Sequence, residues 1–311
     1  MITFFIILTI VFILPRIMPG DPIQNILGID YVSATQEEKD FLTNLYGLDK
    51  GIFEQYFLYL KSIFTLDFGY SISTDANVGK TLFSGMKYSA MVSFPALLIG
   101  ATLALFAGLY GGTKKGSVPE RGLTAASIFV TALPSFLLAM ILLTVFSYYL
   151  GWFPLGHMST GKDVNYLVDL IYSLTLPIGT LALMVFCSYY IIIKNIVLQI
   201  EEEHFINVKR LHGFSDDYIN SKHITRNIST QFVSVLALSL GGIISGSLIV
   251  EIVFSLPGIG GILFSAISFG DYPVIQACFI FITFSILLAN LVAEILYSLL
   301  DPRVADKSGW I

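Results

Sequence analysis

Apolar and polar positions along the chain fall into long blocks rather than the short alternations of a soluble domain. Apolar runs occupy about 2–18, 89–112, 122–150, 171–193, 231–254 and 274–300. Runs of roughly 18 apolar residues or more read as helices crossing a bilayer, because only a helix satisfies its own backbone groups where water is absent. The pattern predicts an all-α, polytopic membrane protein with about six transmembrane helices. The first run is short at Pro15, and the chain is expected to begin inside that helix, with a short cytoplasmic lead before it. Pro177 and Gly241-Gly242 interrupt the fourth and fifth runs. Packed membrane helices tolerate both.

The polar blocks set the orientation. Lys114, Lys115 and Arg121 follow the second run; Lys194, Lys209, Arg210, Lys222 and Arg226 fall in 194–230; the tail carries Arg303 and Lys307. The loop 151–170 has only Lys162, and 255–273 has neither Lys nor Arg. The excess of basic residues in short loops marks the cytoplasmic side, so both termini are expected there. The long segment 19–87 is then an outer loop, read as a helical subdomain of one membrane domain, 1–311. Ala34-Thr35-Gln36-Glu37-Glu38 has the form of a helix start, and Phe41, Leu42, Leu45 and Leu48 recur at helical spacing. Residues 52–66 form a second, more apolar amphipathic helix, suited to the headgroup layer or to a pore mouth. Met1–Leu14 lacks a basic start, and Met18-Pro19-Gly20-Asp21-Pro22 follows it in place of a cleavage site, so it reads as a membrane helix rather than a signal peptide.

Composition narrows the chemistry. The chain is 55% hydrophobic and 13% charged, against about 25% charged in a soluble domain. It has no basic blocks with interleaved aromatics, so nucleic-acid binding has no support. Cys187 and Cys278 sit in apolar runs as small hydrophobes. Gly79-Lys80-Thr81 ends like a phosphate-binding loop, but that pattern needs glycine where Thr74 stands. Leu256-Pro257-Gly258-Ile259-Gly260-Gly261 follows no strand and is not a dinucleotide fingerprint. His157, His204, His212 and His223 have neither catalytic nor metal-ligand spacing. No catalytic residue, metal ligand or cofactor site is assigned, and any nucleotide hydrolysis is expected in another chain.

The segment 196–230 is polar yet patterned. After Glu201-Glu202-Glu203, the apolar residues Phe205, Val208 and Leu211 recur at helical spacing and lead to Gly213. Glycine suits a helix end. Ser215 before Asp216 and Asp217 suits a new helix start. The prediction is helix, tight turn, helix, with Arg210, Leu211, His212, Gly213, Phe214 and Ser215 at an exposed corner. A plain connector is usually shorter; an apolar and basic knob fits a partner dock.

Asn207-Val208-Lys209-Arg210-Leu211-His212-Gly213-Phe214-Ser215, continued by Lys222-His223-Ile224-Thr225-Arg226-Asn227, resembles the loop motif of the permease subunits of dipeptide, oligopeptide and nickel ABC importers. The resemblance runs on through Met18-Pro19-Gly20-Asp21-Pro22, Tyr46-Gly47-Leu48-Asp49, Leu66-Asp67-Phe68-Gly69-Tyr70-Ser71, Leu133-Pro134-Ser135-Phe136, Asp271-Tyr272-Pro273 and Asp301-Pro302-Arg303. The chain departs from the family pattern at Val208, Lys209 and Leu211, where small residues are usual, and at Gln231, where proline is usual. The resemblance implies that 196–230 is a cytoplasmic coupling loop seated in a groove of an ATPase subunit. It implies a second homologous permease, two ATPase subunits binding ATP and Mg, an extracytoplasmic substrate-binding protein, and a place in the bacterial inner membrane. Short peptides are the first substrate class it implies, and nickel or a metal chelate the second.

Small-xxx-small pairs, Gly108/Gly112 and Gly242/Gly246, let helices approach closely. Glu251 and Glu294 are rare acids in apolar runs, which face a bundle interior or cavity. Asn290 stands one turn before Glu294 as a hydrogen-bonding partner. With Ser135 these are the candidates for lining the path or packing helices. An ion-coupled secondary transporter using Glu251 and Glu294 as relays is the reading from a different class. It would be favoured by an inverted repeat, which the sequence does not show.

Overall fold

The computed structural model describes residues 2–17, 23, 34–45, 49–156, 166–225, 227–228, 232–233, 236 and 247–300. The protein is an all-α polytopic membrane protein. Its helices are α1 (Ile2–Ile17), α2 (Gln36–Leu45), α3 (Ile52–Thr65), α4 (Val78–Thr113), α5 (Val118–Ala132) and α6 (Ser135–Leu142, continued as a π-helix over Leu143–Tyr149). They continue with α7 (Tyr166–Glu201), α8 (His204–Leu211), α9 (Asp216–Ile219, continued as a π-helix over Asn220–Ile224), α10 (Ile259–Phe269) and α11 (Tyr272–Leu300). Among the described residues three helices are long and apolar enough to cross a membrane, in Val78–Thr113, Val168–Glu201 and Tyr272–Ile295.

The third apolar run departs from the sequence expectation. Residues 122–150 read as one helix, but the chain breaks between Val118–Ala132 and Ser135–Tyr149, whose axes differ by 109°. Pro134 has no N–H to give the helix and forces the residue before it out of the helical region. Leu133 accordingly sits at ψ 137°. The two halves make a fourth span only if the bent pair is counted as one. Much of the fifth run, 231–254, with Gly242 and Gly246, lies outside the described residues; 247–253 is helical. The second run also extends beyond expectation, since α4 begins at Val78, inside the expected outer loop. Asn77 starts it by accepting from Lys80 N at 3.0 Å through its side chain.

Two compact units divide the chain: Met1–Ser89 with Pro257–Ser285, and Ala90–Leu256 with Ile286–Ile311. In the first, Leu8, Val11 and Phe12 of α1 pack with Tyr59 of α3 and Ile280 of α11. Both helices that the sequence predicts within 19–87 are present. Thr35 and Glu38 cap α2 reciprocally: the Thr35 hydroxyl accepts from Glu38 N at 3.3 Å and a Glu38 carboxylate oxygen accepts from Thr35 N at 2.9 Å. α3 ends on Leu66 in the left-handed region. Residues 70–77 then fold back as a small hairpin. The buried Asp271 carboxylate holds it, accepting from Ser71 Oγ at 2.5 Å and from Ser73 Oγ at 2.9 Å.

In the second unit α4 and α7 lie against each other along a glycine-bearing face. A Cβ added at Gly112 would stand 2.3 Å from Val197 Cγ1, and one at Gly108 2.7 Å from Ile193 Cγ2. The Gly108/Gly112 pair is therefore where the two helices touch. α5 is tied to α7 by a buried ion pair between Glu120 and Lys194. Lys194 Nζ also donates to Thr124 Oγ1 at 2.9 Å, and Gly116 N donates to Glu120 at 3.1 Å.

Candidate functional site: the helix–turn–helix corner

The predicted helix–turn–helix is present, and its turn has a defined hydrogen-bond pattern. α8 ends with Gly213 N donating to Arg210 O at 3.0 Å and Phe214 N donating to Lys209 O at 3.3 Å. This crossed pair of bonds around a left-handed residue is the Schellman ending, and Gly213 supplies the left-handed residue at φ 82°. No atom lies within 4 Å of where a Gly213 Cβ would stand, so the requirement for glycine is conformational rather than steric. Ser215 opens α9 by accepting from Tyr218 N at 3.4 Å through its hydroxyl.

The corner has two faces. Ile206, Ile219, Ile224 and Ile228 are buried in one cluster with Leu97, Ala101 and Ala104 of α4 and Tyr190, Ile193, Val197 and Ile200 of α7. The turn is thus seated in the same core as two membrane-spanning helices. The other face is open: Leu211 is 86% exposed, and Phe205, Val208, Phe214 and Tyr218 are exposed beside it. The open face is ordered by its own contacts. Phe214 stacks on Tyr218 at 5.2 Å between ring centroids, and Arg210 pairs with Asp216 at 3.0 Å. Lys209 Nζ lies 2.9 Å from His223 Nε2. Burial, followed by the Lys209 and Lys222 charges, holds His223 below the usual histidine range. The neutral ring can then accept from Lys209. All six residues placed at the corner by the sequence, Arg210 to Ser215, are brought together.

The expected path residues stand on separate elements. Glu251 is fully buried in the second unit, on the helical stretch 247–253, where Leu256 N donates to its carbonyl at 2.8 Å. Asn290 and Glu294 lie on the exposed side of α11. Ser135 is half-buried at the start of α6, just after the bend. The Glu120–Lys194 pair escaped the sequence reading. Its signals were there: Ser117-Val118-Pro119-Glu120 has the spacing of a capping box, and Lys194 is the single cation closing an apolar run.

Residues 90–306 match the family described as binding-protein-dependent transport system inner membrane component. The chain is 30% identical to the di/tripeptide transport system permease protein DppB of Pseudomonas aeruginosa, an alignment covering 98% of this chain and 96% of the relative. It is 26% identical to the nickel import system permease protein NikB of Staphylococcus aureus, covering 99% of this chain and 90% of the relative.

Proposed function

The chain belongs to the family of binding-protein-dependent transport system inner membrane components, as a permease subunit of the peptide and nickel ABC importers, and on that premise we propose that it forms half of a translocation path for short peptides. The observation that carries the mechanism is the cytoplasmic corner. Its open face presents Leu211, Phe214 and two basic residues, while its buried face shares a core with α4 and α7. Force applied at such a corner reaches membrane helices through packed side chains rather than through a slack connector. In this reading Arg210 to Ser215 sit in a groove of a separate ATPase subunit. ATP and Mg bind in the ATPase subunits, and their closure draws two such corners together, switching access between the sides of the membrane. A second permease supplies the other half of the path, and an extracytoplasmic binding protein delivers substrate. Both termini and the corner face the cytoplasm, and no covalent step occurs in this chain.

Di- and tripeptides are favoured because the relative with the higher of the two identities is a di/tripeptide permease. Nickel or a nickel chelate is the second reading, carried by the nickel relative of similar length. Uptake into proteoliposomes containing the assembled transporter and its binding protein separates them. Labelled dipeptide should accumulate with ATP, and a hundredfold excess of nickel should leave that uptake unchanged. Nickel accumulation without dipeptide uptake would transfer the assignment to the metal.

A further inference from the structure

α3 was expected at the headgroup layer or a pore mouth, and its contacts with α1 decide what its outer face meets. The two helices run antiparallel. Arg16 Nη2 donates to Gln55 Oε1 at 2.7 Å, the Phe12 ring meets Tyr56 edge-on at 5.0 Å, the Thr9 and Tyr56 hydroxyls lie 2.8 Å apart, and Tyr59 donates to Leu8 O at 3.1 Å. As residue numbers rise along α3 they fall along α1. The contacts run from Leu8 to Arg16 along α1, more than two turns, and from Gln55 to Tyr59 along α3, a little over one. Tyr59 and Leu8 also pack with Ile280, which lies within the apolar span Tyr272–Ile295 of α11.

Helical geometry then fixes where the remaining faces point. At about 100° per residue, Phe53, Phe57 and Phe64 form a stripe on α3 about 110° from the line through Tyr56, Tyr59 and Ile63 that faces α1. On α1, Ile6, Ile10, Ile13 and Ile17 lie about 115° from the line through Leu8, Thr9, Phe12 and Arg16, rotated in the same sense. In an antiparallel pair, rotations of the same sense from the facing line turn both stripes to the same side. Both stripes are open: Phe53, Phe57 and Phe64 are 78%, 68% and 71% exposed, and Ile6, Ile10 and Ile17 are 54%, 56% and 73% exposed. Glu54 and Lys61 lie about 180° from the facing line, on the side of α3 away from α1.

The geometry points to a single lipid-facing surface made jointly by α1 and α3, with Phe53, Phe57 and Phe64 seated among acyl chains of the extracytoplasmic leaflet. The occupant follows from continuity: the phenylalanine stripe extends the open isoleucine stripe of α1, which packs through Leu8 on Ile280 of the apolar span in α11, and Glu54 and Lys61 stand about 70° farther round α3 than the phenylalanines. Part of the outer loop is thus membrane-bound, anchoring the entrance of the path to the bilayer. This inference rests on the membrane-permease reading and on its orientation.

Nitroxide labels test it in the assembled transporter in lipid nanodiscs, on a Cys187→Ala, Cys278→Ala background. Labels are placed through Phe57→Cys, Phe64→Cys, Glu54→Cys and Ile10→Cys, with Phe53→Cys as a second site in the first turn of the stripe. Collision with oxygen reports lipid, and collision with water-soluble chromium oxalate reports solvent. The expected oxygen-to-oxalate ratio at Phe57 and Phe64 equals that at Ile10 and exceeds that at Glu54 several-fold. A ratio at Phe57, Phe53 and Phe64 as low as at Glu54 would overturn the inference. So would shielding from both reagents, which would mean that a second permease or the binding protein covers the stripe. Ile10 is the control for the underlying reading: a solvent-like ratio there removes α1 from the bilayer, whereas a lipid-like Ile10 beside a solvent-like Phe57 refutes the shared surface alone.

Discussion

At Gly213 the chain needs a left-handed backbone and nothing else, since a side chain would meet open space. That separates conformation from charge in a way the sequence could not. Gly213→Ala should cost the turn about 1–2 kcal/mol, the penalty of a Cβ in the left-handed region. Gly213→Asn, which tolerates that region, should cost less. Gly213→Asp has nearly the same shape as Gly213→Asn, so any further loss of ATPase binding measures the added charge at the docking face. Co-purification of the ATPase subunits with the three variants gives the order; equal retention in all three would mean that the corner docks nothing. His223 carries a pH dependence of definite sign. Its folded-state affinity for a proton is lowered, so the unfolded loop takes up the proton first as pH falls. The contribution to stability is complete above the ordinary histidine value of about 6.5 and is lost below it, toward the lower folded value. Amide exchange over 205–225, corrected for intrinsic rates, should quicken between pH 7.5 and pH 5, and His223→Gln should remove most of that change. These positions show what was readable: the glycine, the serine cap and the spacing of Phe205, Val208 and Leu211 foretold the turn. The Lys209–His223 contact joins residues fourteen apart and needed the fold to reveal it.

Among the elements, α4, α5 and α7 form the frame behind the corner. Lys194→Met leaves the Glu120 carboxylate buried without its cation, which in comparable buried pairs costs roughly 3–5 kcal/mol. Pairing Lys194→Met with Glu120→Gln keeps an acceptor for Gly116 N and removes the charge, so the double variant should unfold closer to the parent temperature in detergent. A double variant as unstable as Lys194→Met would show that the pair is not the reason for the loss. Gly112→Ala should also destabilise, by roughly 1–3 kcal/mol of overpacking, because its Cβ would stand 2.3 Å from Val197. Gly122→Ala in α5, with no atom within 4 Å, should be neutral or slightly stabilising. Helix existence was legible wherever apolar periodicity or a cap marked it, as in α2 and α3. The bend at Leu133-Pro134 was not taken from the sequence, because proline within an apolar run is compatible with either a kinked or a broken helix. The Pro177 site in α7 continues as one helix while Pro134 ends one.

For the whole molecule, the sequence yielded the membrane class and the family, and the structure added how the corner is held. Ser135, Glu251, Asn290 and Glu294 stand on separate elements of this chain; in the importer proposed above the path runs between two permeases, and one chain supplies half of its wall. Orientation is open to direct test. A thiol placed by Ser117→Cys should react only with reagents supplied from the cytoplasmic side, and one placed by Thr160→Cys only from outside; reversal at both would invert the arrangement. The claim on which the account depends is that the 204–225 corner couples this chain to an ATPase. The most direct measurement is disulfide trapping between a thiol introduced at the corner by Leu211→Cys and thiols along the ATPase groove, with uptake followed in the same preparation. The account predicts trapping that joins the two subunits and stops ATP-driven uptake, with uptake restored on reduction. Uptake that continues with the link formed, or that a pH gradient drives without ATP, would contradict it.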